Sequence, residues 1–101
     1  MIRSVLPLRA VPGRGDALEH FYADHRVLER ARAFSGCRDA VLLRSTDGDP
    51  AGYLVIADWE TASDYQRWVD DPWRAALSRQ LADLLDPGND NSIVGRLFEF
   101  V

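Results

Sequence analysis

The chain has 101 residues, 47% hydrophobic and 28% charged, with a formal charge of -4 from 16 acidic and 12 basic side chains. That length fits one domain with one core, the composition excludes a disordered chain, and the acidic balance offers no field for nucleic-acid phosphates. Cys37 stands alone, which excludes an internal disulfide and a multi-cysteine zinc site. No stretch approaches the roughly 20 apolar residues of a membrane span, and the N-terminus MIRSVLPLRAV lacks the features of a signal peptide. A cytoplasmic protein with neither a membrane nor a nucleic-acid partner is therefore expected.

Residues 2–11, IRSVLPLRAV, alternate loosely and read as a first strand, with Pro7 placing it near an edge or a bulge. VPGRGD breaks it. Asp16 and Glu19 have the spacing of a capping box, and behind them Leu18, Phe21, Tyr22, His25 and Leu28 fall on one side of a helix running to about Phe34. CRDAVLLRST, residues 37–46, predicts a second strand, TDGDPAG a turn, and GYLVIADW, residues 52–59, a third strand. Thr61 with Asp64 marks another capping box, opening a helix with Ala62, Tyr65, Trp68 and Val69 inward. Asp71 and Pro72 interrupt and restart that helix, and Leu77, Leu81, Leu84 and Leu85 continue its apolar stripe. DPGNDN reads as a loop and IVGRLFEFV, residues 93–101, as the last strand.

The order βαββαβ predicts an α+β, ferredoxin-like fold over residues 1–101, a single domain with a four-stranded antiparallel sheet and the helices on one face. YLVIA and AVLL are apolar on both faces, and helices cover only one, so the naked face predicts a homodimer with facing sheets. Arg96 alternates with Val94 and Phe98 on the last strand and is expected to meet a carboxylate or a carbonyl.

Common catalytic signatures are missing. VPGRGDA has neither the P-loop lysine nor the dinucleotide fingerprint, there is no GxSxG elbow, and two histidines with one cysteine make a poor metal site. No metal and no cofactor are expected. His25, within an apolar stripe, fits a neutral general base and equally a satisfied core histidine. Trp59, Tyr65, Trp68 and Trp73 fall within fifteen residues. They would serve as core, or as walls for a flat aromatic ligand. Arg74 and Arg79 follow on the second helix segment, where one could meet a phenolate or carboxylate, although a helical arginine is also commonly solvated.

The element order, the ADWET exit from the third strand and the Y-x-x-W…DP pattern of DYQRWVDDP resemble the antibiotic biosynthesis monooxygenase family, over nearly the whole chain. The resemblance implies a dimeric α+β barrel and a role among cofactor-free oxygenases of aromatic polyketides, quinol oxygenases, haem-degrading enzymes or cyclases. For the anthrone-type oxygenases it implies a Trp at the strand exit, matched by Trp59, and a Tyr six residues later, matched by Tyr65. Their Asn four residues before the Trp is Val55 here, and their helix Arg has no equal-spaced counterpart, Ser78 aligning and Arg79 lying one residue off. The haem-degrading branch implies a His about three turns after Trp68, where the chain reads Leu77, Ser78 and Arg79, and a first-strand Asn that is absent.

The leading expectation is a cofactor-independent monooxygenase that lets O2 react with a deprotonated, anthrone- or phenol-type polyketide in antibiotic or secondary-metabolite biosynthesis. His25 is the candidate base and Tyr65 the second catalytic residue; Trp59, Trp68, Tyr22, Trp73 and Arg79 would bind the substrate. A polyketide cyclase of the same fold and a non-catalytic binding protein are the alternatives.

Overall fold

The computed structural model describes residues 1–48, 52–88 and 93–101. Its elements run β1 (Ile2–Arg9), α1 (Gly15–Asp24), α2 (Val27–Ala33), β2 (Cys37–Arg44), β3 (Gly52–Trp59), α3 (Ala62–Asp70), α4 (Pro72–Ala82) and β4 (Arg96–Glu99). Parts of the expected TDGDPAG turn and DPGNDN loop, residues 49–51 and 89–92, lie outside the described residues. The strands form one antiparallel sheet in the order β2-β3-β1-β4, the ferredoxin-like arrangement.

Strand alternation decides which side chains meet the helices. Ser4, Leu6 and Leu8 of β1, Ala40 of β2, and Tyr53, Ala57 and Trp59 of β3 are buried on the covered face. Pro7 pairs with Leu54 on β3, beyond the reach of β4, whose pairing with β1 stops at Val5. The proline thus occupies a stretch bonded on one side only, where its missing N–H costs no ladder bond.

Both helical segments are broken, by different means. At Asp71 the backbone is extended, with φ -61° and ψ 130°, and the Asp71 carboxylate accepts hydrogen bonds from the N–H groups of Trp73 and Arg74 at the start of α4. Thr61 and Asp64 cap α3 reciprocally, as their spacing predicts. The first helix, expected to run unbroken to Phe34, instead breaks at Arg26, which adopts the left-handed conformation with φ 52° and ψ 45°. The expected Asp16–Glu19 box does not form either: α1 starts at Gly15 with no side-chain cap. The Glu19 carboxylate is occupied elsewhere, accepting from the Tyr53 hydroxyl at 2.6 Å and from Arg44 at 2.9 Å.

The other face of the sheet is open. Leu43, Leu54 and Phe98 are exposed there, beside the bidentate Arg3–Asp58 pair. Arg96 stands opposite Val5 on this same face, exposed and without a side-chain hydrogen bond or ion pair among the described residues. The expectation of a paired Arg96 is corrected: nothing desolvates it here, so water serves the guanidinium and no partner is required.

Candidate active site

The site is built from the strand exit of β3 and the first turns of α3 and α4. Trp59 is fully buried, and its indole N–H donates to Ser4 Oγ at 3.1 Å, while the Ser4 hydroxyl reaches the Ala57 carbonyl at 3.4 Å. The small polar Ser4 among apolar β1 neighbours thus exists to satisfy the tryptophan, because a buried indole needs an acceptor. Tyr65 stands edge-on to Trp59 with ring centroids 5.5 Å apart, and Trp68 lies 6.4 Å from Trp59. The Tyr65 hydroxyl oxygen accepts from the Gly95 N–H at 2.6 Å, leaving its own proton to give.

Arg74 brings a charge into this apolar setting. It is 9% exposed, and its Nη2 donates to the Ile93 carbonyl at 2.6 Å. Burial lowers its pKa from the ordinary arginine value, whereas electrostatic interaction with Tyr65 and Tyr22 raises it. Guanidinium basicity is high enough that the group stays cationic. Burial also pushes the Tyr22 phenol well above its usual range, so that side chain remains neutral.

These groups share a cavity between two hydrophobic clusters, one around Leu6, Tyr22, Leu77 and Leu81, the other around Ala40, Ala57, Trp59 and Trp68. Its volume is about 50 Å³. That admits a few water-sized molecules. Binding sites for drug-sized ligands run to roughly 300–1,000 Å³, so the cavity is much smaller than the polycycle pocket expected from the sequence.

Of the sequence candidates, Tyr22, Trp59, Tyr65 and Trp68 meet on the cavity wall. His25 does not join them. It follows the last residue of α1, half-buried, with its ring against Phe21 at 4.4 Å between centroids. At the C-cap of α1 it keeps the helical backbone, but its ring packs back on Phe21 and does not reach the wall. Trp73 lies behind Trp68, at 6.2 Å, with the Arg30 guanidinium 4.0 Å over its ring, and is absent from the wall. Arg79 is exposed on α4, also away from the cavity. Val55 and Ser78 line the wall, but the Ser78 hydroxyl is spent on the Arg74 carbonyl at 3.0 Å. The contributions of Ser4, Ile93 and Gly95 were not foreseen; a lone serine on an inward strand face, two residues from the next apolar one, is the signal for the first.

Among the described residues no cluster of three or more His, Cys, Asp or Glu side chains is placed to hold a metal ion, and no helix is long and apolar enough to cross a membrane. Among curated proteins no sequence matches the chain. Solved structures match its whole length. A candidate antibiotic biosynthesis monooxygenase from Deinococcus radiodurans superposes with a TM-score of 0.81 at 15% identity, covering 100% of this chain and 93% of its own. Rv0793 from Mycobacterium tuberculosis gives 0.79 at 15%, with 99% and 94% covered. SnoaB from Streptomyces nogalater, a cofactor-independent oxygenase, gives 0.78 at 20%, with 98% and 91% covered. At these identities the superpositions establish the fold. The profile of the antibiotic biosynthesis monooxygenases matches residues 1–79, and with it the chain belongs to that family.

Proposed function

We propose that the protein is a cofactor-independent monooxygenase of a phenolic, anthrone-type aromatic intermediate in secondary metabolism. The observation that carries this reading is the buried Arg74 guanidinium beside Tyr22 and Tyr65 on an aromatic cavity wall. A phenol that loses its proton places negative charge on oxygen and, by resonance, on the ring carbon that meets O2. A fixed cation in a low-dielectric site favours that anion and lowers the substrate's own pKa. With the substrate so acidified, solvent can take the proton, and the role first read for His25, which lies off the wall, is not needed. Tyr65 would donate to the substrate oxygen, and Trp59 and Trp68 would support the ring.

The balance is closed without an added reductant. A ring CH2 and O2 give C=O and H2O: both C–H bonds and the O–O bond break, one oxygen atom stays on carbon and the other leaves as water. The protein contributes desolvation, orientation and stabilisation of the anion. A homodimer with facing sheets would cover Leu43, Leu54 and Phe98 on the open face; sedimentation as a monomer at micromolar concentration would count against it.

Incubation with an anthrone in air, with no flavin or metal added, should consume one O2 per quinone formed. Arg74→Met should lower that rate by roughly 10²- to 10³-fold, the usual loss when a preorganised charge-stabilising group is removed. No uptake above buffer across several hydroxylated scaffolds would reject the reading. Val55, apolar where the oxygenase resemblance implies an Asn, supports a second reading, aldol cyclisation of a poly-β-ketone through an enolate held by the same cation. Product formed equally well without O2 would select it.

A further inference from the structure

The cavity has a neighbour. Tyr22 and Leu28, two of its wall residues, also line an open groove of about 580 Å³ bounded by α1, α2 and β2, with Ala23, Leu42, Arg44 and Tyr53 among its other walls. The contrast in size is informative. The inner space of about 50 Å³ is too small for one aromatic ring, whereas the groove lies within the range of small-molecule sites.

The partition between the two spaces is unusual in its polarity and its backbone. Tyr22 is 6% exposed, yet its hydroxyl makes no hydrogen bond among the described residues. A buried phenol in that state gains from any ligand that supplies an acceptor. Tyr22 and Leu28 also stand on opposite sides of Arg26, the left-handed residue that separates α1 from α2. Non-glycine residues in that conformation concentrate where a structure clamps or admits a ligand.

We infer that the groove is the outer half of the substrate site: the body of a polycyclic phenol rests between Ala23 and Leu42, and its reacting edge enters at Tyr22 and Leu28, whose side chains give way on binding and widen the inner space toward Arg74. This rests on the function proposed above, and it adds where the bulk of the substrate binds and which residues set its size. Tyr53 and Arg44 give the groove a polar margin. The Tyr53 hydroxyl, its pKa pushed up to about 12 by burial and by its bond to Glu19, stays neutral with its proton given to Glu19, so it offers the groove an acceptor. Polar substituents on the distal ring would meet this margin.

Ala23 and Thr46 are exposed, line the groove from its helix and strand sides, and touch neither the cavity nor the core. Equilibrium dialysis of a dihydroxyanthraquinone and of phenol against the wild type, Ala23→Trp and Thr46→Trp tests the inference. Each variant should weaken the polycycle by roughly tenfold or more, equivalent to one decade in Kd, with phenol affinity and melting temperature held. Wild-type affinity for the polycycle in both variants overturns the groove while leaving the oxygenase reading intact. Failure of the wild type to bind the polycycle also overturns it, and O2 uptake with an anthrone then decides the proposed function separately.

Discussion

The two helical segments that enclose the cavity interrupt themselves at comparable points and hold those interruptions differently. Beneath the cavity, α3 and α4 meet at Asp71, a residue in ordinary extended backbone whose carboxylate accepts two N–H bonds, and α3 begins in a reciprocal Thr61–Asp64 cap. Opposite them, α1 and α2 meet at Arg26, in left-handed backbone, and neither helix has a side-chain cap. The capped segment carries Tyr65, Trp68 and Arg74; the uncapped one carries Tyr22 and Leu28. One wall is fixed by local caps and the other by packing and by bonds to the sheet, from Glu19 to Tyr53 and Arg44 and from Arg32 to the Ala40 carbonyl, so the first is anchored over two or three residues and the second over longer stretches of chain.

Removing the fixed wall's anchor should break the contrast most. Asp71→Ala deprives the Trp73 and Arg74 N–H groups of their acceptor and should cost about 1–2 kcal/mol. For a domain of this size each kcal/mol corresponds to a fall of roughly 4–8 °C in melting temperature. Asp16→Ala, at the position where the sequence suggests a box that does not form, should change stability by no more than about 0.5 kcal/mol. Urea denaturation of the two variants checks both, and equal losses would mean that α1 is capped in solution after all.

The same contrast explains what the sequence disclosed. Asp71-Pro72 and Thr61-x-x-Asp64 are local signals whose partners lie two or three residues away, so the second segment was legible, and with it the gathering of Trp59, Tyr65 and Trp68. The first segment depended on distant partners. Glu19 has capping-box spacing, but its carboxylate goes to Tyr53, 34 residues along the chain. Nothing in EHFYADHRVLERA announces a left-handed residue, which usually falls on Gly or Asn. Once Arg26 takes that conformation the helical phase is reset for the residues after it, while His25, still helical at the C-cap of α1, packs on Phe21 and lies off the wall. Arg74 and Arg79 illustrate the converse. Both were candidates, and the fresh start at Pro72 turns Arg74 to the cavity while Arg79 is exposed.

The Glu19–Tyr53 contact gives this wall a pH signature. The Tyr53 pKa is raised to about 12 by burial and by its bond to Glu19. Because the folded value exceeds that of an unfolded tyrosine, near 10, the folded state holds the proton more tightly between the two. This stabilisation is fully present below about pH 10 and is lost as pH rises toward about 12. Tyr22, also raised by burial, acts in the same direction. Urea midpoints should therefore fall steeply above about pH 10, and Tyr53→Phe should flatten the fall. An unchanged profile in that variant would detach α1 from β3 as the source of the effect.

The smallest effect sharpens the comparison at the break itself. The backbone at Arg26 is fixed from both sides, its N–H donating to the Ala23 carbonyl at 3.2 Å and its carbonyl accepting from the Arg30 N–H at 3.0 Å. The conformation is therefore imposed, and a side chain with a Cβ pays roughly 1–2 kcal/mol for it. Glycine removes that cost but gives up about 0.5–1 kcal/mol through the greater freedom of its unfolded chain. Arg26→Gly should thus stabilise the protein by roughly 0.5 kcal/mol, while Arg26→Ala, which keeps the Cβ, should fall near zero. Asp71→Gly should do the opposite at the other break, where φ is -61° and there is no left-handed strain to relieve, only a cap to lose. Chemical denaturation resolves the signs even where the magnitudes are small. If glycine at position 26 destabilises more than alanine does, the left-handed turn is not what divides α1 from α2 in solution, and the two walls differ in their caps alone.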